Sequence, residues 1–566
     1  MNENPYAKKP WLKFYDENVP AHIEFPEMNL YKILDKAAKD FGKRTAIWFL
    51  KNKISYNEFK NIADRLATAL VNLGVKKGDV VAIMMPNFPQ FLFSYYGILK
   101  AGGIVTACSI LLTEHELAYQ LNDAGAEAII AWDTQLEKIN KIKEKTRLKT
   151  IIITNIYDYV PNSEYVRRFG SSPPEITGAK QFVNLIKKTK PNPPKFEIEP
   201  KETIAVLQYT TGTTGLPKAA MLTHYNLLSN SIAIQNWVDS VTERGKDTIL
   251  SNLPLFHIYG MTTCMNVPIY NAGTMALNFD PRDHKSVLET IRDTKPALFP
   301  GVPTMYIRLL ERDDLEDYSK DLRSIKVCNS GAAAMPPEVL REFESRTGSI
   351  IIEGYGLTEC SPTTHTNPIQ GIRKIGSIGL PISDTEIKLV DIDDHTKIVP
   401  IGEAGEIAVK GPQVMKGYLN KPDATASTLI DGWLLTGDIA KMDEDGYFYI
   451  VDRKKDMVNV SGFKVSPREV EDTLFEYEGV EKAAVIGIPD PKLPGSEKVK
   501  AFIVLKTGYK GNDELENKII EFCRTKMAPY KVPKFIEFRK ELPETFIGKV
   551  LRKDLRAQEA KKTGVE

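Results

Sequence analysis

Cysteine is scarce in this chain, charge of either sign is balanced, and no apolar run is long enough to span a membrane. Each absence removes a class of protein. The five cysteines, Cys108, Cys264, Cys328, Cys360 and Cys523, are scattered and odd in number. No two stand at metal-ligand spacing, which argues against a disulfide or zinc framework and fits a reducing compartment. Basic residues number 75 and acidic ones 74, for a net charge of +1. That balance gives nucleic acid no bulk electrostatic hold. The most apolar stretch, residues 80–112, is broken by Pro86, Asn87, Pro89, Gln90 and Lys100 well short of a spanning run. The first ten residues lack the apolar core of a signal peptide. The expectation is a cytoplasmic protein, at most peripheral at the inner face of a membrane.

What is present describes a multidomain globular protein. A chain of 566 residues, 42% hydrophobic and 26% charged, is too long for one core and ordinary in composition. After an amphipathic helix over residues 30–38, strand and helix patterns alternate. Strands are expected at 45–50, 80–85, 104–107, 128–132 and 150–154, and helices at 56–73, 89–100 and 114–123. Such alternation predicts parallel sheets covered by helices. Residues 155–200, rich in Pro, Lys and Ser, read as an irregular insertion. From 376 to 451 short β segments between Gly and Asp turns suggest a small barrel or distorted sheet. A new α+β unit follows the charged segment 452–456. The expected fold class is therefore α/β: a large N-terminal domain (1–452) of two helix-flanked sheets plus the barrel-like region, then a small mobile α+β domain (453–566), with a hinge at 452–455.

The most informative stretch is Tyr209-Thr-Thr-Gly-Thr-Thr-Gly-Leu-Pro-Lys218, preceded by a short apolar strand. Its threonines and glycines supply donors and a backbone free to curl, and successive N–H groups in a curl make an anion-binding concavity. Lys218 adds a positive charge at the end. The pattern suits nucleotide phosphates, but it is not the common P-loop, since Leu216 and Pro217 separate Gly215 from Lys218. The competing reading is a polar turn between two strands.

Other segments are weaker alone. Ser330-Gly-Ala-Ala-Ala334 follows an apolar strand, and its tiny residues would admit a flat ring or a tightly packed helix. Gly354-Tyr-Gly-Leu-Thr-Glu359 joins two glycines that leave room for a ligand, an aromatic that can stack on a base, a hydroxyl and a carboxylate. Mg²⁺ takes hard oxygens, usually one or two from protein and the rest from water and phosphate. Asp438, in Trp433-Leu-Leu-Thr-Gly-Asp-Ile439, can accept both ribose hydroxyls, although Gly-Asp is also an ordinary turn pair. Lys549 reads as a surface lysine or as a compact mobile cation. His257, in Leu253-Pro-Leu-Phe-His-Ile-Tyr-Gly260, reads alone as a satisfied core histidine.

In order, and from Trp11 to about Lys553, these segments resemble the motifs of adenylate-forming enzymes, the superfamily of acyl-CoA synthetases, luciferases and peptide-synthetase adenylation domains. The opening Lys9-Pro-Trp-Leu-Lys-Phe-Tyr15 with Val19-Pro-Ala-His-Ile23 is similar to long-chain fatty acid–CoA ligases. The resemblance implies that Thr210, Thr211, Gly212, Thr213, Thr214, Gly215 and Lys218 hold ATP phosphates. It implies that Gly331, Ala332, Ala333, Glu353, Gly354, Tyr355 and Gly356 bind the nucleotide, Tyr355 stacking on adenine. Thr358 would bond the α-phosphate, Glu359 with Thr210 would bind Mg²⁺, and Asp438 with Arg453 would hold the ribose. Lys549, Glu359, Thr358 and Lys218 form the implied catalytic set. Lys455 stands at the hinge, Gly462 lines the CoA pantetheine tunnel, and His257 and Tyr259 wall the acyl pocket, His257 without a general-base role. The chain departs from the pattern at Ala219, where glycine is common, and at Leu435, where histidine often stands.

The implied reaction attaches a carboxylate to the α-phosphorus of ATP and then passes the acyl group to the thiol of CoA, releasing AMP and pyrophosphate. The partners implied are a medium- or long-chain fatty acid, ATP, Mg²⁺ and CoA, with no nucleic acid and room for a homodimer. Three rivals share the nucleotide motifs: a ligase for aryl acids, an enzyme loading an acyl carrier protein, and a silent nucleotide or acyl sensor.

Overall fold

The structure is a computed structural model, and the residues it describes are 4–160, 179–210, 216–460, 463–491, 493, 496–544 and 550–563. Packing gathers the chain into two compact units. The larger comprises Trp11–Glu386 and Val409–Leu434, the smaller Met1–Pro10, Ile387–Ala408 and Leu435–Glu566.

The larger unit holds two sheets. The first runs, edge to edge, Lys180–Gln181, Thr150–Thr154, Ala128–Trp132, Val80–Met84, Ile104–Ala107, Ile204–Thr210 and Lys218–Thr223. Its strands pair in parallel except the last two, which are antiparallel. Val80–Met84 is buried at every residue, as a central strand covered on both faces must be. The second sheet places Leu380–Pro381, Thr363–Thr366, Ile350–Gly356, Val327–Ser330, Leu298–Gly301, Thr248–Ser251, Thr274–Leu277, Thr45–Phe49 and Asn52–Ser55 in that order.

Local chemistry sets the helix starts. Ser55 and Glu58 make a reciprocal capping box at the head of Tyr56–Asn72, and Thr113 with Glu116 does the same for Glu114–Ala124. The helix Pro89–Lys100 is buried all round, which accounts for its apolar sequence without a membrane. Its terminal Lys100 is buried too, and pairs with Asp64 at 2.6 Å and Asp35 at 2.5 Å. Among the described residues no helix is long and apolar enough to cross a membrane.

One expectation needs correction. Residues 155–200 are not irregular throughout: Lys180–Gln181 adds an edge strand, and Phe182–Lys188 is a helix. That helix has seven residues and buries Phe182 and Ile186, too few positions for a period to show. In the region expected to form a small barrel or distorted sheet, Glu386–Val390, Gly405–Lys410, Trp433–Met442 and Phe448–Arg453 lie side by side in one sheet, most of which packs in the smaller unit. The rest of that unit includes a two-stranded ribbon, Val458–Val460 with Phe463–Val465, and a three-stranded sheet, Val480–Pro489, Glu497–Leu505 and Phe535–Arg539, with helices Pro467–Phe475, Asp513–Lys526 and Arg552–Thr563.

Candidate active site

Within the larger unit, Ile204–Thr210 and Lys218–Thr223, the strands on either side of the expected phosphate loop in sequence, pair antiparallel. Thr210 stands opposite Lys218, and its hydroxyl donates to the Lys218 carbonyl at 3.4 Å. Of the expected loop residues, Thr211, Gly212, Thr213, Thr214 and Gly215 lie outside the described residues. The Lys218 ammonium lies 5.1 Å from the centre of the Tyr418 ring. The Tyr418 hydroxyl in turn donates to Glu359 Oε1 at 2.6 Å. Burial, and then the Glu359 charge, push the Tyr418 phenol well above its ordinary pKa, so it stays a donor. Main-chain bonds fix the row: Leu419 N–H to Ala219 O (2.9 Å), Met221 N–H to Gly417 O (2.9 Å) and Met415 N–H to Glu359 O (2.8 Å).

Sequence reasoning missed Tyr418. Its one local signal is the preceding glycine. Gly417 has φ +143°, and a Cβ there would fall 2.8 Å from the Thr425 side chain. Nothing in the sequence places it between Lys218 and Glu359.

The tiny-residue segment leaves strand Val327–Ser330, whose Ser330 lies beside Glu353 of Ile350–Gly356. Gly331 is buried against Tyr259, where a Cβ would approach the ring to 3.2 Å, while Ala332 and Ala333 are exposed. Ala332 is held at φ +67°. Glu353 Oε2 accepts the Gly376 N–H at 2.8 Å. The Tyr355 ring meets His365 edge on, with centroids 5.8 Å apart. Gly356 answers first to the backbone, since a Cβ would sit 2.2 Å from the Pro362 carbonyl oxygen. Thr358 opens the turn that presents Glu359.

His257 caps the short helix Ile258–Met261, its Nδ1 accepting the Tyr259 N–H at 3.2 Å. Tyr259 is buried and its hydroxyl donates to Asn329 O at 2.9 Å. Asn329 also lines an apolar cavity that opens to solvent. Its other walls include Ile234, Trp237, Val267, Phe299 and Ile352, and none of its described lining residues is charged.

The smaller unit carries its own constellation. Asp438 lies within strand Trp433–Met442, directly opposite Arg453, and Arg453 Nε meets its carboxylate at 3.1 Å. Burial, with the Arg453 charge beside it, brings the Lys455 ammonium down to about 8. Asp452 accepts from the Ser466 hydroxyl (2.6 Å) and the Arg468 N–H (2.9 Å). Gly462 and Lys549 lie outside the described residues. Three residues beyond Lys549, Arg552 grips Glu471 through both oxygens at 2.8 and 2.6 Å.

Among the described residues no three His, Cys, Asp or Glu side chains gather to cage a metal. The hard oxygens of Glu359 and Thr210 nevertheless suit Mg²⁺, which keeps water and phosphate in most of its shell.

Comparison with known proteins decides the family. Residues 34–419 match the model of the AMP-binding enzyme family, and residues 469–549 that of the AMP-binding enzyme C-terminal domain. The chain belongs to the AMP-binding enzyme family. It is an adenylate-forming acyl-CoA synthetase. A long-chain-fatty-acid–CoA ligase of Bacillus subtilis strain 168 is 44% identical over 565 residues, 98% of each chain. Its counterpart in Salmonella typhimurium is 38% identical over 566 residues, 97% of this chain and 98% of that one. Among solved structures, an anthranilate CoA ligase with anthranoyl-AMP superposes at a TM-score of 0.83, with 30% identity over 95% of this chain and 98% of that one. The AMP-binding match contains the row Lys218, Tyr418 and Glu359, and the C-terminal match ends at Lys549.

Proposed function

We propose that this acyl-CoA synthetase activates a medium- or long-chain fatty acid as its adenylate and transfers it to CoA, releasing AMP and pyrophosphate. The observation that carries the substrate class is the apolar cavity with no charged residue in its described lining, which offers a methylene chain burial and a charged tail nothing. The ligases named for long-chain fatty acids, matched over nearly the whole chain, support it.

In the first step a carboxylate oxygen forms a bond to the α-phosphorus of ATP and the bond to pyrophosphate breaks. Lys218 and the threonine loop hold the phosphates, and Thr358 bonds the α-phosphate. Tyr355 stacks on adenine beside Gly331, Ala332, Ala333, Glu353, Gly354 and Gly356, while Asp438 and Arg453 hold the ribose. Mg²⁺, when bound, offsets the charge that develops on the phosphates. Glu359 and Thr210 would hold it, and Tyr418 orients the Glu359 carboxylate for that task. Lys549 offsets charge at the reacting phosphorus in this step alone. In the second step the CoA sulfur attacks the acyl carbon and AMP leaves, the pantetheine passing Gly462, with His257 and Tyr259 near the acyl group. A boundary at 452/453, with a hinge at 452–455 including Lys455, lets one centre serve both steps. Delivery of the acid by weak contact with a membrane surface, a cytoplasmic location and assembly as a homodimer belong to the same proposal.

Two expected results arise here. Each methylene buried in an apolar channel contributes about 0.8 kcal/mol, so kcat/KM should climb roughly fourfold per added carbon until the cavity is full and then fall. Efficiency against acid length, with benzoate and hydroxycinnamate as competitors and CoA against carrier protein as acceptors, checks this. A maximum at acetate, or a preference for the aryl acids, would sink the fatty-acid assignment. Second, Tyr418→Phe keeps a ring beneath Lys218 but removes a hydrogen bond to a charged group, worth about 1.5–3 kcal/mol. Acid-dependent pyrophosphate exchange should fall about tenfold or more, and ATP binding far less. Exchange at the wild-type rate would deny Tyr418 its positioning role.

A further inference from the structure

The opening segment, whose residues resemble the long-chain ligases, packs against a wall of the apolar cavity. Helix His224–Val238 gives that wall Ile234, Trp237 and Val238. Trp237 is almost wholly buried, and its indole Nε1 donates to the Asn367 carbonyl at 3.0 Å. Tyr15 meets the indole edge to face, with centroids 5.0 Å apart and planes at 73°. The Tyr15 hydroxyl is itself tied, donating to the Pro381 carbonyl at 2.5 Å.

The segment around Tyr15 is fastened by charge as well as packing. The buried Asp16 carboxylate accepts the N–H groups of Ile369 (2.8 Å), Gln370 (3.1 Å) and Gly371 (2.7 Å). Asn18 Nδ2 donates to the carbonyl of Asn236, the residue before Trp237, at 3.4 Å. A hydrogen bond and an edge contact from a tethered ring leave a large aromatic side chain little freedom to yield. Close-packed walls of this kind resist expansion, so a chain too long for the space meets a clash rather than a rearrangement.

We propose that Trp237 is the fixed stop that sets the longest acyl chain the cavity accepts, and that Tyr15 is the positioning residue that holds it there. The inference rests on the reading of this cavity as the acyl pocket.

The test is kcat/KM, read as AMP release, for hexanoate through octadecanoate with wild type, Trp237→Ala, Tyr15→Ala and Tyr15→Phe. Trp237→Ala is expected to move the optimum to longer acids, with efficiency gaining up to roughly fourfold over wild type for each carbon past the wild-type optimum. The change should lie in KM more than kcat. Tyr15→Ala should shift the profile the same way by less, and Tyr15→Phe, which keeps the ring on the indole, should restore the wild-type profile. Ratios between acids do not depend on the fraction of active enzyme, so a poorly folding Trp237→Ala is still read, and Tyr15→Ala reads the wall independently. An equal fall at every length with an unmoved optimum would assign both residues to stability alone and overturn the proposal. Wild type inactive on every fatty acid would overturn the cavity's assignment, and this proposal with it. A wild-type optimum that no variant moves would overturn this proposal only.

Discussion

Replacing Lys549 with alanine is expected to lower adenylate formation by about 10²–10³-fold, the scale of losing one preorganised donor to a developing charge. Thioester formation from a supplied acyl-adenylate should stay largely intact. The difference follows from where bonds change: in the first step they form and break at the α-phosphorus as pyrophosphate leaves, whereas in the CoA step they change at the acyl carbon and no phosphorus bond is made or broken. A lysine ammonium is a compact point charge suited to that single task. Pyrophosphate exchange and single-turnover thioester formation separate the two steps. An equal fall in both would contradict the assignment of Lys549 to the first.

Glu359→Gln should cost the first half-reaction about tenfold to a hundredfold, and shift its Mg²⁺ dependence to higher concentration, in line with the loss of a charged ligand. The carboxamide keeps the shape of the side chain, and its oxygen can still accept from the Tyr418 hydroxyl. What it lacks is the negative charge that attracts the cation. Fatty-acid binding, measured without nucleotide, should not change. An Mg²⁺ titration of pyrophosphate exchange that superposes on wild type would remove Glu359 from the ligand set.

Much of the architecture was legible because it rests on local chemistry. The capping boxes at Ser55 and Thr113 sit at the heads of helices that the apolar periodicity predicts. The strands 104–107, 128–132 and 150–154 and the helix 89–100 have the bounds their patterns imply. The strand before the phosphate loop was legible for the same reason, a compact apolar run ending in glycine and threonine. Contacts made across the fold were not. The edge of Tyr15 on Trp237 joins residues more than two hundred positions apart, and neither carries a local signal of the other. The bond from Tyr418 to Glu359 and the reason for Gly356, a close carbonyl of Pro362, are equally non-local. Gly-Asp reads as an ordinary turn pair, yet Asp438 lies within a strand opposite Arg453, with Gly437 accommodated at φ +72° inside Trp433–Met442. The cavity is assembled from two helices, a π-helical turn and neighbouring strands, so no single segment announces it.

The central claim is AMP-forming ligation of a fatty acid to CoA, and product stoichiometry tests it most directly. Purified protein is incubated with dodecanoate, ATP, Mg²⁺ and CoA, and the nucleotide and acyl products are separated and counted. The account predicts acyl-CoA, AMP and pyrophosphate in equal amounts, with acyl-adenylate and pyrophosphate alone when CoA is left out. Formation of ADP and phosphate, or no acid-dependent consumption of ATP across fatty acids from hexanoate to octadecanoate, would contradict it.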